Sequence, residues 1–140
     1  MVPTVPVRHA LTVLAVRDPA RSAAFYQAAF GWTLAVEVPV YRELVLPGGM
    51  RLGLYEQGGF GVTTTAAPTM PEDGAIGPAE LYLYPDDPEA LEALVATVEA
   101  CGARLLSPLA PRTWGDEVAY LADPDGHVLA LARAPTTEGA

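Results

Sequence analysis

A chain of 140 residues that is 51% hydrophobic and 18% charged has the size and apolar content of one compact domain, which excludes disorder as its default state. Eight Lys and Arg stand against 17 Asp and Glu, a net charge of −9, which argues against nucleic acid or an anionic membrane surface as the main partner. Cys101 is the single cysteine, so no intrachain disulfide can form. The first residues lack the apolar core of a secretory signal, no apolar run nears the ~18 residues that span a bilayer, and the expected location is the cytoplasm.

In chain order, residues 8–16 read as a buried strand that stops at Asp18-Pro19. Asp before Pro starts a helix: the carboxylate caps free N–H groups, and Pro at the first helical position loses no bond. This helix should run through Phe25 and Tyr26, both expected in the helix–sheet core, to Phe30 and end at Gly31. Strands are expected near 33–38, 41–46 and 50–56, the last two joined by Pro47-Gly48-Gly49. Residues 57–78, rich in Gly and Pro, read as a linker. The second half opens with a strand at Glu80–Tyr84. Asp87-Pro88 then starts a helix whose apolar residues Leu91, Leu94, Val95 and Val98 share one face. Further strands are expected near 103–107, 116–122 and 127–133, after a 108–115 loop and an Asp123-Pro124-Asp125-Gly126 turn. The order repeats: Asp18-Pro19 corresponds to Asp87-Pro88, and Gly49 to Gly126. The expected fold class is α+β, a single domain over 1–140 built of two tandem βαβββ modules at about 8–56 and 79–134.

The run from Leu11 through Asp18, Ser22 and Phe25-Tyr26 to Gly31-Trp32 resembles the first module of the vicinal oxygen chelate superfamily. That superfamily includes glyoxalase I, bleomycin-resistance proteins, fosfomycin-resistance enzymes and extradiol dioxygenases. Trp114-Gly115 and Asp123-Pro124-Asp125-Gly126-His127 carry the resemblance into the second half, so it covers about residues 8–134. It implies the glyoxalase/bleomycin-resistance/dihydroxybiphenyl-dioxygenase fold, in which the modules form a cup-shaped mixed sheet. It also implies where metal ligands would stand: seven residues before the helix-starting Asp, at Leu11 and Glu80, and four residues after the turn Gly, at Gly53 and Ala130. Only Glu80 carries a donor, whereas a catalytic divalent ion generally needs three protein ligands. The resemblance therefore implies a protein with no metal and no cofactor that binds a small molecule, as bleomycin-resistance proteins bind the drug without altering it.

Alternate residues of a strand share a face, so Leu11 in the cup brings His9, Val13 and Ala15 with it. Glu80 brings Tyr82 and Tyr84, Gly53 brings Arg51 and Tyr55, and Ala130 brings Val128 and Ala132. The Leu and Val of these strands then point to the helix-packed side. The candidate ligand-binding set is Glu80, Arg51, Tyr55, Tyr82, Tyr84, Trp114, Leu11 and Ala130, with Trp114 closing over the rim; no residue is assigned a catalytic role. Glu80 either anchors a cation among aromatic faces or pairs with Arg51. His9 lies two residues short of the ligand position and His127 belongs to a turn. Cys101 has no partner for nucleophilic work, and no phosphate loop or nucleophile elbow is present. The expected function is metal-free sequestration of an aromatic or cationic compound by a homodimer, in the manner of an antibiotic-resistance protein. Three alternatives stay open: a metal-dependent lyase or dioxygenase using His9 and Glu80, a metal-free enzyme with Glu80 as general base, and a regulatory module with no small ligand.

Overall fold

The two Asp-Pro pairs start their helical segments in the same way. In a computed structural model describing residues 2–135, Asp18 Oδ1 accepts hydrogen bonds from the N–H groups of Ala20 and Arg21 (3.1 and 3.3 Å) at the head of α1, Pro19–Phe30. Asp87 Oδ1 accepts from Glu89 N–H (3.0 Å) and caps a 3-10 turn, Pro88–Ala90, that leads into the helix Leu91–Ala100. The strands are β1 Leu11–Val16, β2 Thr33–Val38, β3 Tyr41–Val45, β4 Arg51–Glu56, β5 Glu80–Leu83, β6 Arg104–Pro111, β7 Glu117–Ala122 and β8 Val128–Arg133. Two expectations need correction. Residues 57–78 are not all linker, because Gln57–Thr64 forms a helix, α2, and Leu91–Ala100 is therefore α3. The Glu56 carboxylate accepts from Gly58 and Gly59 N–H, and the Thr63 and Thr64 hydroxyls bond carbonyls one turn back; these local bonds offset the glycine cost that suggested a linker. Likewise β6 extends into the expected 108–115 loop, with two register shifts that bend it.

By their contacts the residues form two units, 2–23 with 32–68 and 24–31 with 69–135. The first unit holds a four-stranded sheet in the order β1-β4-β3-β2, with β1 and β4 parallel and the other pairs antiparallel. One face carries Val16, Leu44, Leu52 and Leu54, all buried; the other carries Leu11, Val13, Arg51, Gly53 and Tyr55, with Tyr41 and Glu43 opposite Tyr55 and Gly53.

The second unit repeats the pattern as β5-β8-β7-β6, with β5 and β8 parallel. Leu121, Leu129 and Leu131 are fully buried on one face, and α3, with Leu91 and Val98 buried, packs on β8 and β6. Each such buried side chain contributes about 1.5–3 kcal/mol. Part of α1 belongs to this unit: Tyr26 is fully buried and donates to Asp123 Oδ2 at 2.6 Å, with Phe25 edge-on at 5.0 Å. Burial, and then the neighbouring Asp123, push the Tyr26 phenol well above its ordinary value; burial likewise raises the Asp123 carboxyl. Asp123 Oδ1 also accepts from Asp125 and His127 N–H (both 2.9 Å), which fixes the turn before β8. The turn requires Gly126: its φ is 92°, and an added Cβ would sit 2.9 Å from Pro71. Among the described residues no helix is long and apolar enough to cross a membrane.

Candidate functional site

In the second unit, register places Glu80 beside Val128 and Tyr82 beside Ala130, with Ala122 and Tyr120 one strand further across on β7. Val118, Ala130 and Ala132 form a fully buried cluster under Tyr120. Next to it lies a cavity of about 530 Å³ lined by Glu80, Leu106, Ser107, Tyr120, Val128 and residues 76–79. Glu80 is its only charged lining residue, and among the described residues its carboxylate makes no hydrogen bond or ion pair. On Tyr120 lies the Arg112 guanidinium, 5.1 Å from the ring centroid and tied down by bonds to Val118 O, Pro108 O and Ser107 Oγ. The Tyr120 phenol is raised, chiefly by desolvation and then by the Glu80 charge. Ala130, at 0% exposure, is floor beneath the tyrosines and offers no surface of its own.

Further along the same face Tyr82 and Tyr84 meet at one carboxylate, and Trp114 joins them through Tyr82. Asp116 Oδ2 accepts from both Tyr82 and Tyr84 hydroxyls at 2.7 Å, and Trp114 Nε1–H donates to the Tyr82 oxygen at 2.9 Å. The Tyr82 and Tyr84 rings stand edge to face at 5.8 Å. Burial, then the bond to Asp116, push Tyr82 up to about 12, and that bond foremost raises Tyr84.

The first unit carries a different arrangement. Arg51 Nη1–H donates to Glu43 Oε2 (2.7 Å), and Tyr41 O–H donates to Glu43 Oε1 (2.6 Å). These bonds, Tyr41's first, hold the Glu43 carboxyl below its ordinary value, while burial and Glu43 raise Tyr41. The ion pair considered for Arg51 is thus made with Glu43, because antiparallel pairing of β3 and β4 puts it within reach on the same face. Tyr55 stands between Tyr41 and Phe60, edge-on to both. Leu11 is half-buried at the end of its row, and His9 Nε2 bonds the Leu11 carbonyl and Thr12 hydroxyl (3.1 and 3.2 Å).

The structure brings Tyr82, Tyr84 and Trp114 together, and it sets Glu80 in a cavity. Four residues escaped the sequence reading: Tyr41, Glu43, Asp116 and Tyr120. Alternation applied to β3 and β7 would have found the tyrosines and Glu43. Asp116, beside Trp114-Gly115, carried no signal of its own.

Residues 8–131 match the family model of the glyoxalase/bleomycin resistance protein/dioxygenase superfamily. The chain belongs to this superfamily. Among solved structures, a glyoxalase-related enzyme from Fulvimarina pelagi is 26% identical with a TM-score of 0.78, over 89% of this chain and 86% of that one. A lactoylglutathione lyase from Agrobacterium tumefaciens (19%, TM-score 0.68, 91% and 94% covered) and TioX from Micromonospora sp. ML1 (20%, TM-score 0.63, 91% and 98% covered) share the fold. No curated protein matches.

At the positions where the resemblance would place the ligands of a divalent metal, the residues present do not fit one. Glu80 is the one donor of its unit's pair, since Ala130 is apolar and fully buried. In the other unit Leu11 is apolar and the room beside Gly53 is filled, because an added Cβ would lie 2.4 Å from the Tyr41 hydroxyl. Among the described residues no three His, Cys, Asp or Glu side chains are grouped to hold a metal.

Proposed function

We propose that this superfamily member is a binding protein that takes up a small organic cation without a metal, with Glu80 as the charged anchor. The observation that carries the reading is the cavity of about 530 Å³ whose one charged lining residue, Glu80, has a carboxylate without a hydrogen bond or ion pair among the described residues. Tyr120, whose ring already carries the Arg112 guanidinium, adds apolar lining, and the net charge of −9 draws cations toward the chain. Sequestration suits this setting better than turnover. Glu80 is exposed and lacks the apolar enclosure that tunes a general base, and the Ser107 hydroxyl already accepts from Arg112 (3.0 Å). The reading includes a cytoplasmic homodimer, since each four-stranded sheet has edge strands that a second copy can cover.

The test is a thermal-shift screen of size-matched cationic, neutral and anionic aromatic compounds in chelating buffer, on the wild type and Glu80→Gln. Cations should raise the melting temperature most, because binding stabilises by mass action. Losing the charge of an exposed anchor should weaken them about tenfold, roughly 1.4 kcal/mol, and leave neutral analogues unchanged. Equal binding of all three classes, or cation affinity unmoved by Glu80→Gln, would overturn the proposal.

A further inference from the structure

Arg112 carries a charge that the described residues leave without a counter-charge. Arg42, Arg51 and Arg133 each pair with a glutamate. Arg112 is half-buried, yet its Nε and Nη2 donate only to neutral groups, the Val118 and Pro108 carbonyls and the Ser107 hydroxyl, and Nη1 donates to none of the described residues. Those bonds and the Tyr120 ring, whose centroid is 5.1 Å away, hold the guanidinium in place. A half-desolvated cation fixed in this way is stabilised when an anion arrives beside it. Ser107 brings that charge to the cavity wall, which it lines. Its oxygen accepts from Arg112 Nη2, so its own proton is turned elsewhere, and among the described residues that proton meets no acceptor. A hydroxyl that accepts from a cation is itself a stronger donor.

We propose that Ser107, with Arg112 behind it, is a subsite for a carboxylate, so that the ligand of the cavity is a zwitterion with its amine at Glu80 and its carboxylate at Ser107. The inference rests on the cavity reading above and narrows its organic cation to one that carries an anionic end. Glu80 and Ser107 stand on β5 and β6, the two edge strands of the β5-β8-β7-β6 sheet, three strand spacings or about 14 Å apart at the backbone. Both side chains line the cavity and shorten that span. Between them the lining is Val128, Leu106 and the Tyr120 ring, so the two charged ends are joined by an apolar spacer. Arg112 is the positioning residue: it fixes the Ser107 hydroxyl and adds a positive field at the carboxylate end only.

The probes are ω-aminooctanoate, its methyl ester and octylamine, titrated by calorimetry. All three carry the ammonium, so Glu80→Gln should weaken each about tenfold. The acid should bind the wild type about tenfold more tightly than its ester, which keeps the length and loses the charge. Ser107→Ala should weaken the acid about three- to tenfold and Arg112→Gln about tenfold, and both should leave octylamine unchanged. A variant that merely loosened the fold would weaken all three probes together. Arg112 also ties β6 to β7, so Ser107→Ala decides the matter if Arg112→Gln does not fold. Should all three probes bind through Glu80 with the acid no tighter than its ester, the carboxylate subsite is overturned and the cavity reading stands. The same holds if the advantage of the acid survives Ser107→Ala and Arg112→Gln. If no probe binds, or Glu80→Gln moves none of them, both are overturned.

Discussion

Gly53→Ala is the most exacting perturbation of the first unit. An added Cβ would lie 2.4 Å from the Tyr41 hydroxyl and 2.9 Å from two ring carbons, so the ring must swing away. Tyr41 then gives up its 2.6 Å bond to Glu43 and its edge-to-face contact with Tyr55 at 5.7 Å. The ring is half-exposed and water replaces part of the bond, leaving a loss of about 1 kcal/mol, with about 0.5–1.5 kcal/mol more for the aromatic pair. Gly53 is not at positive φ, so alanine returns about 0.4–1 kcal/mol by restricting the unfolded chain. The net cost is about 1 kcal/mol, read as a lower urea midpoint with unchanged slope. In a Tyr41→Ala background the obstacle is gone, and Gly53→Ala should be neutral or stabilise by about 0.5 kcal/mol. An equal loss in both backgrounds would refute the reasoning.

Tyr26→Phe removes a buried bond to a carboxylate and should cost about 1.5–3 kcal/mol in denaturant unfolding; a loss below about 0.5 would mean Asp123 does not depend on it. The phenols of Tyr26, Tyr41, Tyr82 and Tyr84 are all raised above 10.0, so the stability they contribute is complete below that pH and is lost as pH rises through the folded-state values. The urea midpoint should therefore fall between pH 9 and pH 12, and a flat profile there contradicts the hydrogen-bond assignments. Glu43 works in the opposite sense: its value is lowered, so its contribution is present above 4.5 and disappears as pH falls, an effect that Glu43→Gln should abolish. Sedimentation should give twice the 14.7 kDa chain mass; a species near 14.7 kDa at micromolar concentration would count against the dimer.

What was legible in the sequence was local. Asp18-Pro19 and Asp87-Pro88 act on amides two or three residues away, and Gly126 answers to its own φ, so both modules could be laid out from spacing alone. Strand alternation set Glu80 and Tyr82 at alternate positions of β5, with Tyr84 just beyond its end. It could not say what each side chain bonds, because Glu43 meets Arg51 only through the register of β3 with β4, and Asp116 reaches Tyr82 and Tyr84 from 34 and 32 positions away. The helix at Gln57–Thr64 was hidden for a related reason: its glycines argue for a loop, and the Glu56 cap that overrides them sits in the preceding strand. Tyr26 likewise gave no sign that its hydroxyl reaches a residue 97 positions away.

The central claim is that binding through Glu80 needs no metal. The most direct measurement is the calorimetric affinity of a cationic aromatic compound selected by the thermal-shift screen, taken after exhaustive dialysis against chelator. It is then repeated with one equivalent each of Zn²⁺, Mn²⁺, Ni²⁺ and Fe²⁺ in separate samples. The account predicts the same affinity throughout, with the protein from the chelator dialysis fully competent. Binding that appears only when a metal is returned, and vanishes in Glu80→Gln, would contradict it and make Glu80 a ligand to the ion.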